Sequence, residues 1–156
     1  GLHTNGYSLA RRIIFDELKL DFDTEVEDFG CSVAEELLRP HCSYQASVFP
    51  VISTGQVKGI AHITGGGLTD NIPRILPDGC RAFIDRSSWP VPSVFGFLAR
   101  NGSVPVDDMY RTFNMGIGLV VVCDRNEAHT VLAKLISCGE VGAVRIGEIR
   151  DGDRVV

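Results

Sequence analysis

Residues 62–74 read His-Ile-Thr-Gly-Gly-Gly-Leu-Thr-Asp-Asn-Ile-Pro-Arg. The apolar run 57–63 predicts a buried strand before the glycines, and the residues after them predict a short helix over 68–76. Thr69 and Asp70 are the candidate N-cap residues of that helix. A strand, a glycine turn and a helix start present backbone N–H groups to an anion, although such a turn also serves simply to reverse the chain. No Gly-Lys-Ser/Thr follows the glycines, so the stretch does not predict a P-loop.

Hydrophobic periodicity predicts a fold that contains both helices and strands. The predicted helices cover residues 7–20, 32–38, 43–53, 68–76, 93–100, 106–113 and 126–137. The predicted strands cover residues 57–64, 80–85, 116–123 and 141–149, with a further stub of strand at 154–156. Four strands with helices between them predict an α+β fold in which helices cover a mixed four-stranded sheet.

Three local features refine this prediction. Ser32 and Glu35 have the spacing of a capping box, so a helix is expected to begin there. Pro50 is expected to break or kink the helix that contains it. The acidic, aperiodic residues 21–30 predict a surface loop, whereas the continuously apolar strand 116–123 is typical of burial on both faces.

Composition argues against two classes of protein. The 156 residues suffice for one domain, or for a small domain with an appended arm. A net charge of −5 argues against nucleic-acid binding, which usually needs a basic surface. No apolar run is long enough to span a membrane. The five cysteines contain no Cys-x-x-Cys pair, so they predict free thiols in a reducing, cytoplasmic compartment and no zinc or other metal site.

The first residues of the chain form a polar turn. Gly1 takes the place of an initiating methionine and a dense group of polar and turn-forming residues follows, so the chain is expected to be a piece of a longer polypeptide. His3, Thr4 and Asn5 lie between glycines without an apolar context. Such a turn is compatible with a functional histidine and equally with a helix cap by Thr4 or Asn5.

Further polar residues lie beside glycines or strand ends. His62 is interpreted either as a core histidine bonded to backbone groups, or as a general acid–base or substrate ligand at the C-terminal end of its strand. Gly116 and Gly118, after Asn114, permit close approach of a ligand or tight packing against a helix. Trp89 is interpreted as an anchor in the core or in an interface.

Four longer motifs follow one another along the chain. They are Gly1-Leu-His-Thr-Asn-Gly-Tyr-Ser-Leu9, Ala61-His-Ile-Thr-Gly-Gly-Gly-Leu-Thr-Asp-Asn-Ile-Pro-Arg74, Ser87-Ser-Trp-Pro90 and Tyr110-Arg-Thr-Phe-Asn-Met-Gly-Ile-Gly118. Their order and spacing closely resemble the C-terminal half of the aminoimidazole ribonucleotide synthetases, also called phosphoribosylformylglycinamidine cyclo-ligases. The resemblance covers nearly the whole chain, so residues 1–156 are expected to be the C-terminal domain of such an enzyme.

The resemblance implies an ATP-dependent ligase of purine biosynthesis. Enzymes of this family close the imidazole ring of formylglycinamidine ribonucleotide, giving aminoimidazole ribonucleotide, ADP and phosphate, with ATP and magnesium as cofactors. They are cytoplasmic homodimers whose active site lies between an N-terminal and a C-terminal domain. The partners implied are therefore the N-terminal domain, a second subunit and a small ribonucleotide, without nucleic acid or membrane.

The same resemblance implies which residues form the site. His3 is the candidate catalytic residue, in proton transfer or in steadying a phosphorylated intermediate. The candidate substrate-binding residues are Asn5, His62, Thr64, Gly65, Gly66, Gly67, Asp70 and Asn71. The glycines are expected to offer N–H groups to the ribose phosphate or to a nucleotide phosphate.

Two departures from the family pattern keep other interpretations open. The N-terminal half, which binds ATP and magnesium in the family, is absent, so this chain alone is expected to be inactive. Residues 41–46 read His-Cys-Ser-Tyr-Gln-Ala, where the family usually has Thr, a basic residue, an apolar residue, Tyr, Val and Lys. This chain keeps only the tyrosine of that pattern and lacks its basic residues. The alternatives are a related domain from a formylglycinamidine ribonucleotide synthetase, a selenophosphate synthetase or a hydrogenase-maturation enzyme, or a non-catalytic fragment that only pairs with a partner domain.

Overall fold

The computed structural model of the protein describes residues 1–152, which divide into two compact units. Unit 1 consists of Gly1–Cys42, Ile63–Asp70 and Pro90–Gly118. Unit 2 consists of Ser43–His62, Asn71–Trp89 and the described part of Leu119–Val156. The predicted stub of strand at 154–156 lies outside the described residues.

Residues 1–152 contain seven α-helices and six strands, which confirms the predicted α+β class. The helices are α1 Tyr7–Arg11, α2 Val33–Leu37, α3 Gln45–Ile52, α4 Gly67–Asn71, α5 Ser93–Asn101, α6 Val106–Thr112 and α7 Ala128–Ser137. The strands are β1 Glu25–Val26, β2 Cys31–Ser32, β3 Val57–His62, β4 Cys80–Ile84, β5 Leu119–Cys123 and β6 Gly147–Asp151. A π-helical segment covers Arg12–Glu17, and 3₁₀ turns cover Pro73–Ile75 and Arg125–Glu127. None of the helices in this part of the chain is long and apolar enough to cross a membrane.

Unit 1 is mainly helical. Helix α1 continues as the π-helical segment, in which Ile13 and Ile14 are both fully buried. The end of α5 packs against this segment, because a Cβ added to Gly102 would lie 2.3 Å from Cδ1 of Ile13. The predicted helix 7–20 therefore ends earlier, at Glu17, and its second half has the wider π geometry.

Helix α2 begins at the predicted capping box. The backbone N–H of Glu35 donates to Oγ of Ser32 at 3.3 Å, and the backbone N–H of Ser32 donates to Oε2 of Glu35 at 2.9 Å. The backbone hydrogen bond from Ser32 holds the pKa of Glu35 below its ordinary value. The preceding residues form a short antiparallel hairpin of β1 and β2, with Val26 opposite Cys31. Residues 21–30 were predicted to form a surface loop, and the hairpin was not predicted because two-residue strands show no periodicity.

Unit 2 holds the four longer strands, in two separate sheets. Strands β3 and β5 are antiparallel with Ala61 opposite Val120, and β4 and β6 are antiparallel with Ala82 opposite Ile149. The existence of four strands was predicted correctly, but the single mixed four-stranded sheet is wrong. Each strand pairs with one partner that is distant in the sequence. Local periodicity indicates where a strand lies but not which strand pairs with it.

Two of these strands are shorter than predicted. The strand predicted at 141–149 begins only at Gly147, because the N–H of Ala143 donates to the carbonyl of Glu140 and turns the chain first. Strand β5 begins at Leu119, and Val120 is its single buried residue. The prediction that this strand is buried on both faces is therefore wrong.

Helix α3 continues through Pro50, so the predicted break is wrong. Pro50 has no N–H to donate to the preceding turn, yet helical backbone hydrogen bonds form again after it. Both the N–H and the hydroxyl of Ser53 donate to the carbonyl of Phe49, at 3.1 and 3.0 Å. Val48 and Val51 are buried on the inner face of the helix, while Pro50 lies on the exposed face. Burial of the two valines therefore compensates for the missing hydrogen bond.

The five cysteines are free thiols, as predicted. Cys123 and Cys138 are half-buried. Burial raises the pKa of the Cys123 thiol above its ordinary value, so its reactive thiolate form is disfavoured at neutral pH.

An arginine network surrounds one carboxylate in unit 2. Glu148 on β6 forms ion pairs with Arg125 at 3.1 Å, with Arg145 at 3.3 Å and with Arg150. The hydrogen bond from Arg150, with the charges of the other arginines, holds the pKa of Glu148 below its ordinary value. Folding therefore favours the ionised form of this carboxylate.

We expect Glu148→Gln to lower the melting temperature at neutral pH, because three arginines lose their common counter-ion. The stabilisation by Glu148 is present above its unfolded-state pKa and disappears as the pH falls through its depressed folded-state pKa. The difference in melting temperature should therefore shrink between about pH 6 and about pH 3 in circular dichroism melts. Glu25→Gln, at an exposed position on β1, is the matched control. A difference that stays constant with pH would contradict this account.

Candidate functional site

The turn that carries His3 holds two consecutive residues in a strained backbone conformation. His3 has φ 51° and Thr4 has φ 61°, in the left-handed region that non-glycine residues rarely occupy. The side-chain N–H of Asn5 donates to the carbonyl of His3 at 2.8 Å, and its backbone N–H donates to the carbonyl of Leu2 at 3.2 Å. Strain of about 1–3 kcal/mol per residue is kept only where the surroundings impose it, and such residues cluster at functional sites.

The residues around Asn114 hold this turn in place. Asn114 is 1% exposed, and its Nδ2 donates to the carbonyl of Gly1 at 3.2 Å. Its Oδ1 accepts from the backbone N–H of Gly116 at 2.7 Å. Gly6 lies so close to the ring of Phe113 that an added Cβ would be 2.2 Å from Cε1. The His3 turn is therefore fixed at both ends against the same two neighbouring residues.

The glycine turn contacts the same region of unit 1. Gly67 has φ 58°, and a Cβ added to it would lie 1.8 Å from the carbonyl oxygen of Tyr110 and 3.0 Å from that of Phe113. Both oxygens belong to the last residues of α6 and the position after it. The segment Tyr110–Asn114 is thus a common anchor for the His3 turn and the glycine turn.

The glycines of the turn have different roles. Gly66, with φ 97°, lies beneath Asp70, because an added Cβ would be 2.7 Å from Oδ2 of that residue. Gly65 is exposed, and no atom of the described residues comes within 4 Å of a Cβ added there. Helix α4 begins at Gly67, so Thr69 and Asp70 lie inside its first turn and the N-cap prediction is wrong. The positive φ and the close neighbours therefore require glycine at positions 66 and 67, whereas position 65 has room for a side chain.

His62 and Asn71 lie in unit 2, whereas the other seven predicted site residues lie in unit 1. His62 is the last residue of β3 and is exposed, so its interpretation as a core histidine is wrong. Asn71 is 4% exposed, and its Oδ1 accepts from the guanidinium of Arg74 at 3.2 Å. Thr64 is half-buried at the start of the glycine turn, and its carbonyl accepts from the N–H of Gly67 at 3.0 Å.

The remaining candidate segments have structural roles. Trp89 is 7% exposed, which confirms its interpretation as an anchor. The carboxylate of Asp85 accepts from both the N–H and the hydroxyl of Ser87, and these bonds hold its pKa below the ordinary value. Gly116 has φ 99° and packs against Pro92, since an added Cβ would lie 2.7 Å from Cδ of the proline. Tight packing accounts for this glycine.

The comparison with a protein family decides the classification. The family model described as "AIR synthase related protein, C-terminal domain" matches residues 1–156. The chain belongs to this family.

Three curated relatives of this AIR synthase related domain carry the same name. The chain is 46% identical to the phosphoribosylformylglycinamidine cyclo-ligase of Syntrophotalea carbinolica over 96% of its length, covering 42% of that protein. It is 43% identical to the cyclo-ligase of Bacillus subtilis over 99% of its length, covering 44% of that protein. The cyclo-ligase of Geobacter sulfurreducens is 47% identical over 96% of the chain and 42% of its own length. The chain thus spans less than half the length of these relatives.

Among residues 1–152, no group of three or more His, Cys, Asp or Glu side chains is placed to hold a metal ion. Asp70 is the carboxylate adjacent to the glycine turn. Magnesium in proteins is usually bound by one or two carboxylates together with substrate phosphates and water.

Sequence reasoning missed one residue of the site. His41 was not among the predicted site residues, yet its exposed ring stacks on that of His3, with centroids 4.4 Å apart and planes at 24°. Oγ1 of Thr4 also lies 3.2 Å from Nδ1 of His41. The two histidines are 38 positions apart, so no local spacing could reveal the contact. The one signal was that position 41 departs from the family pattern.

We expect Gly67→Ala to lower the free energy of unfolding by more than about 2 kcal/mol, because the methyl group clashes with the Tyr110 carbonyl at a positive φ. Gly65→Ala is the matched control and should change it by less than about 0.5 kcal/mol. Urea denaturation followed by circular dichroism measures both. Equal losses of stability in the two variants would contradict the distinction between the glycines.

Proposed function

We propose that the chain is the C-terminal part of an ATP-dependent cyclo-ligase of purine biosynthesis. The proposed reaction closes the imidazole ring of formylglycinamidine ribonucleotide and yields aminoimidazole ribonucleotide, ADP and phosphate. The observation that carries the proposal is the identity of 43–48% to relatives named phosphoribosylformylglycinamidine cyclo-ligase, over 96–99% of the chain. These names favour the cyclo-ligase over the related synthetases and maturation enzymes.

The proposal assigns ATP and magnesium mainly to an N-terminal part. The chain covers only 42–44% of its relatives, and its described residues offer no group of three ligands for a metal ion. We therefore assign no magnesium-dependent step to these residues, and we expect the chain alone to be inactive. The proposed whole enzyme is a cytoplasmic homodimer, as the family resemblance implies.

His3 is proposed to transfer a proton or to steady the phosphorylated intermediate. Its turn is fixed by Asn114 and Phe113, and its ring is half-buried beside His41. A general acid–base works best when its ring is held in one place relative to the reacting group. The left-handed backbone at His3 and Thr4 is the kind of local strain that a binding turn can retain.

The glycine turn is proposed to bind the sugar part of the ribonucleotide. Asp70 places a carboxylate over Gly66, and this charge repels a phosphate dianion at that position. The same carboxylate is a good acceptor for ribose hydroxyl groups. No atom of the described residues lies within 4 Å of a Cβ added at Gly65, which leaves room for the ligand on the other side of the turn. The arrangement therefore favours hydroxyl recognition at Asp70 over phosphate binding at Gly66.

The first test joins the chain to the N-terminal part of the Bacillus subtilis relative and assays ATP-dependent ring closure. We expect activity in the hybrid and none in the chain alone. His3→Ala in the hybrid should lower kcat by about 10²–10⁴-fold, the range for loss of a general acid–base, and the exposed His129→Ala should not. An inactive hybrid that folds would favour the non-catalytic fragment, and unchanged turnover in His3→Ala would remove that residue from the mechanism.

The second test is Asp70→Asn in the same hybrid. The variant keeps the shape of the side chain but removes its charge, so we expect KM for the ribonucleotide to rise about three- to tenfold through a weaker hydrogen bond to the hydroxyl. A fall in KM would instead show that a phosphate approaches the turn. Gly65→Ala provides a second measure, because its methyl group would occupy the open side of the turn and should also raise KM.

A further inference from the structure

The segment around His41 is attached to the first residues of the chain at several points. The hydroxyl of Tyr7 donates to the carbonyl of Leu37 at 2.5 Å, and a Cβ added to Gly1 would lie 3.1 Å from Cβ of Arg39. Arg39 in turn forms an ion pair with the buried Glu36 at 2.5 Å. These contacts bring the end of α2 and the residues after it beside the His3 turn within unit 1.

The imidazole pair, His3 and His41, completes this attachment. The two rings lie nearly parallel with centroids 4.4 Å apart. Nδ1 of His41 and Oγ1 of Thr4 lie 3.2 Å apart, which fixes how the His41 ring is rotated. His41 is exposed, so it covers one face of the half-buried His3 on the side of the solvent.

We propose that His41 is a positioning residue, whose stacked ring holds the imidazole of His3 in a single orientation for the reaction. This inference rests on the proposed role of His3. The strained backbone fixes where the Cβ of His3 lies but does not set the two side-chain torsions, and a flat neighbour restricts both. His41 itself is restrained by Thr4, which belongs to the same strained turn, so the turn and the stacked ring orient each other.

The stack also accounts for an unusual feature of the sequence. Residues 41–46 depart from the pattern of the resembling enzymes. In the structure the imidazole of His41 lies against the turn in which His3 and Thr4 both have positive φ, and it contacts the candidate catalytic residue directly. The departure at position 41 thus adds a contact to the candidate site.

The geometry is tested first in the chain itself, by NMR of histidine ring protons. A stacked ring shields the protons above it, so the ring protons of His3 should move downfield in His41→Ala and stay near their wild-type positions in His41→Phe, which restores an aromatic face. His129→Ala is the matched control, because that exposed histidine lies on α7 in unit 2. Unchanged His3 resonances in His41→Ala would overturn the proposal whatever the activity of the protein.

The consequence is tested in the active hybrid. We expect His41→Ala to lower kcat about tenfold, with KM changed less than about twofold, because a misoriented group affects the chemical step more than substrate binding. His41→Phe should recover most of kcat, since it keeps the flat face without the ring nitrogens. A rise in KM at constant kcat, or a Phe variant as slow as the Ala variant, would overturn the positioning role.

The two failures remain distinguishable. If His3→Ala keeps full turnover, the proposed function of His3 fails, while the NMR comparison still decides whether His41 orients its ring. If His3→Ala is slow and His41→Ala is as fast as the wild type, the proposed function stands and the positioning role fails.

Discussion

The hydrogen bonds of one buried amide hold the candidate site together. Asn114 uses both ends of its side chain, donating to the carbonyl of Gly1 and accepting from the N–H of Gly116. An unpaired amide at 1% exposure would cost about 1–3 kcal/mol, so neither partner can move away cheaply. The nearby carbonyl oxygens of Tyr110 and Phe113 pack closely against Gly67 of the glycine turn. Two turns that are 60 residues apart in sequence are therefore positioned by one five-residue segment.

Strain and charge then give these two turns different chemical characters. In the His3 turn, His3 and Thr4 adopt the left-handed backbone conformation although neither is a glycine, and His3 supplies an imidazole ring. The glycine turn adopts positive φ where no side chain resists it, and it carries a carboxylate above Gly66. These two characters underlie the roles proposed above, proton transfer at the His3 turn and recognition of ribose hydroxyl groups at the glycine turn.

The sequence was informative wherever a residue's neighbours in the chain determine its conformation. The capping box at Ser32, the turn at Gly65–Gly67 and the positions of the longer strands all depend on local geometry, and they were predicted correctly apart from their ends. Pairing of β3 with β5, the exposure of His62 and the closure of α3 after Pro50 depend on distant contacts, which periodicity does not encode. The identities of the site residues came from the family resemblance, and only coordinates could place His41 on His3.

The two units are assembled from six stretches of chain, three in each, which alternate along the sequence. Neither unit is a continuous segment, so no single cleavage of the backbone can release one intact. Removing more than the first 42 residues would delete parts of both units. Neither unit can complete its hydrophobic core before the last of its three stretches is present. Such contacts between remote positions slow folding through the entropy of closing long loops. The two units therefore depend on one intact chain, and neither can be produced alone by shortening the polypeptide from one end.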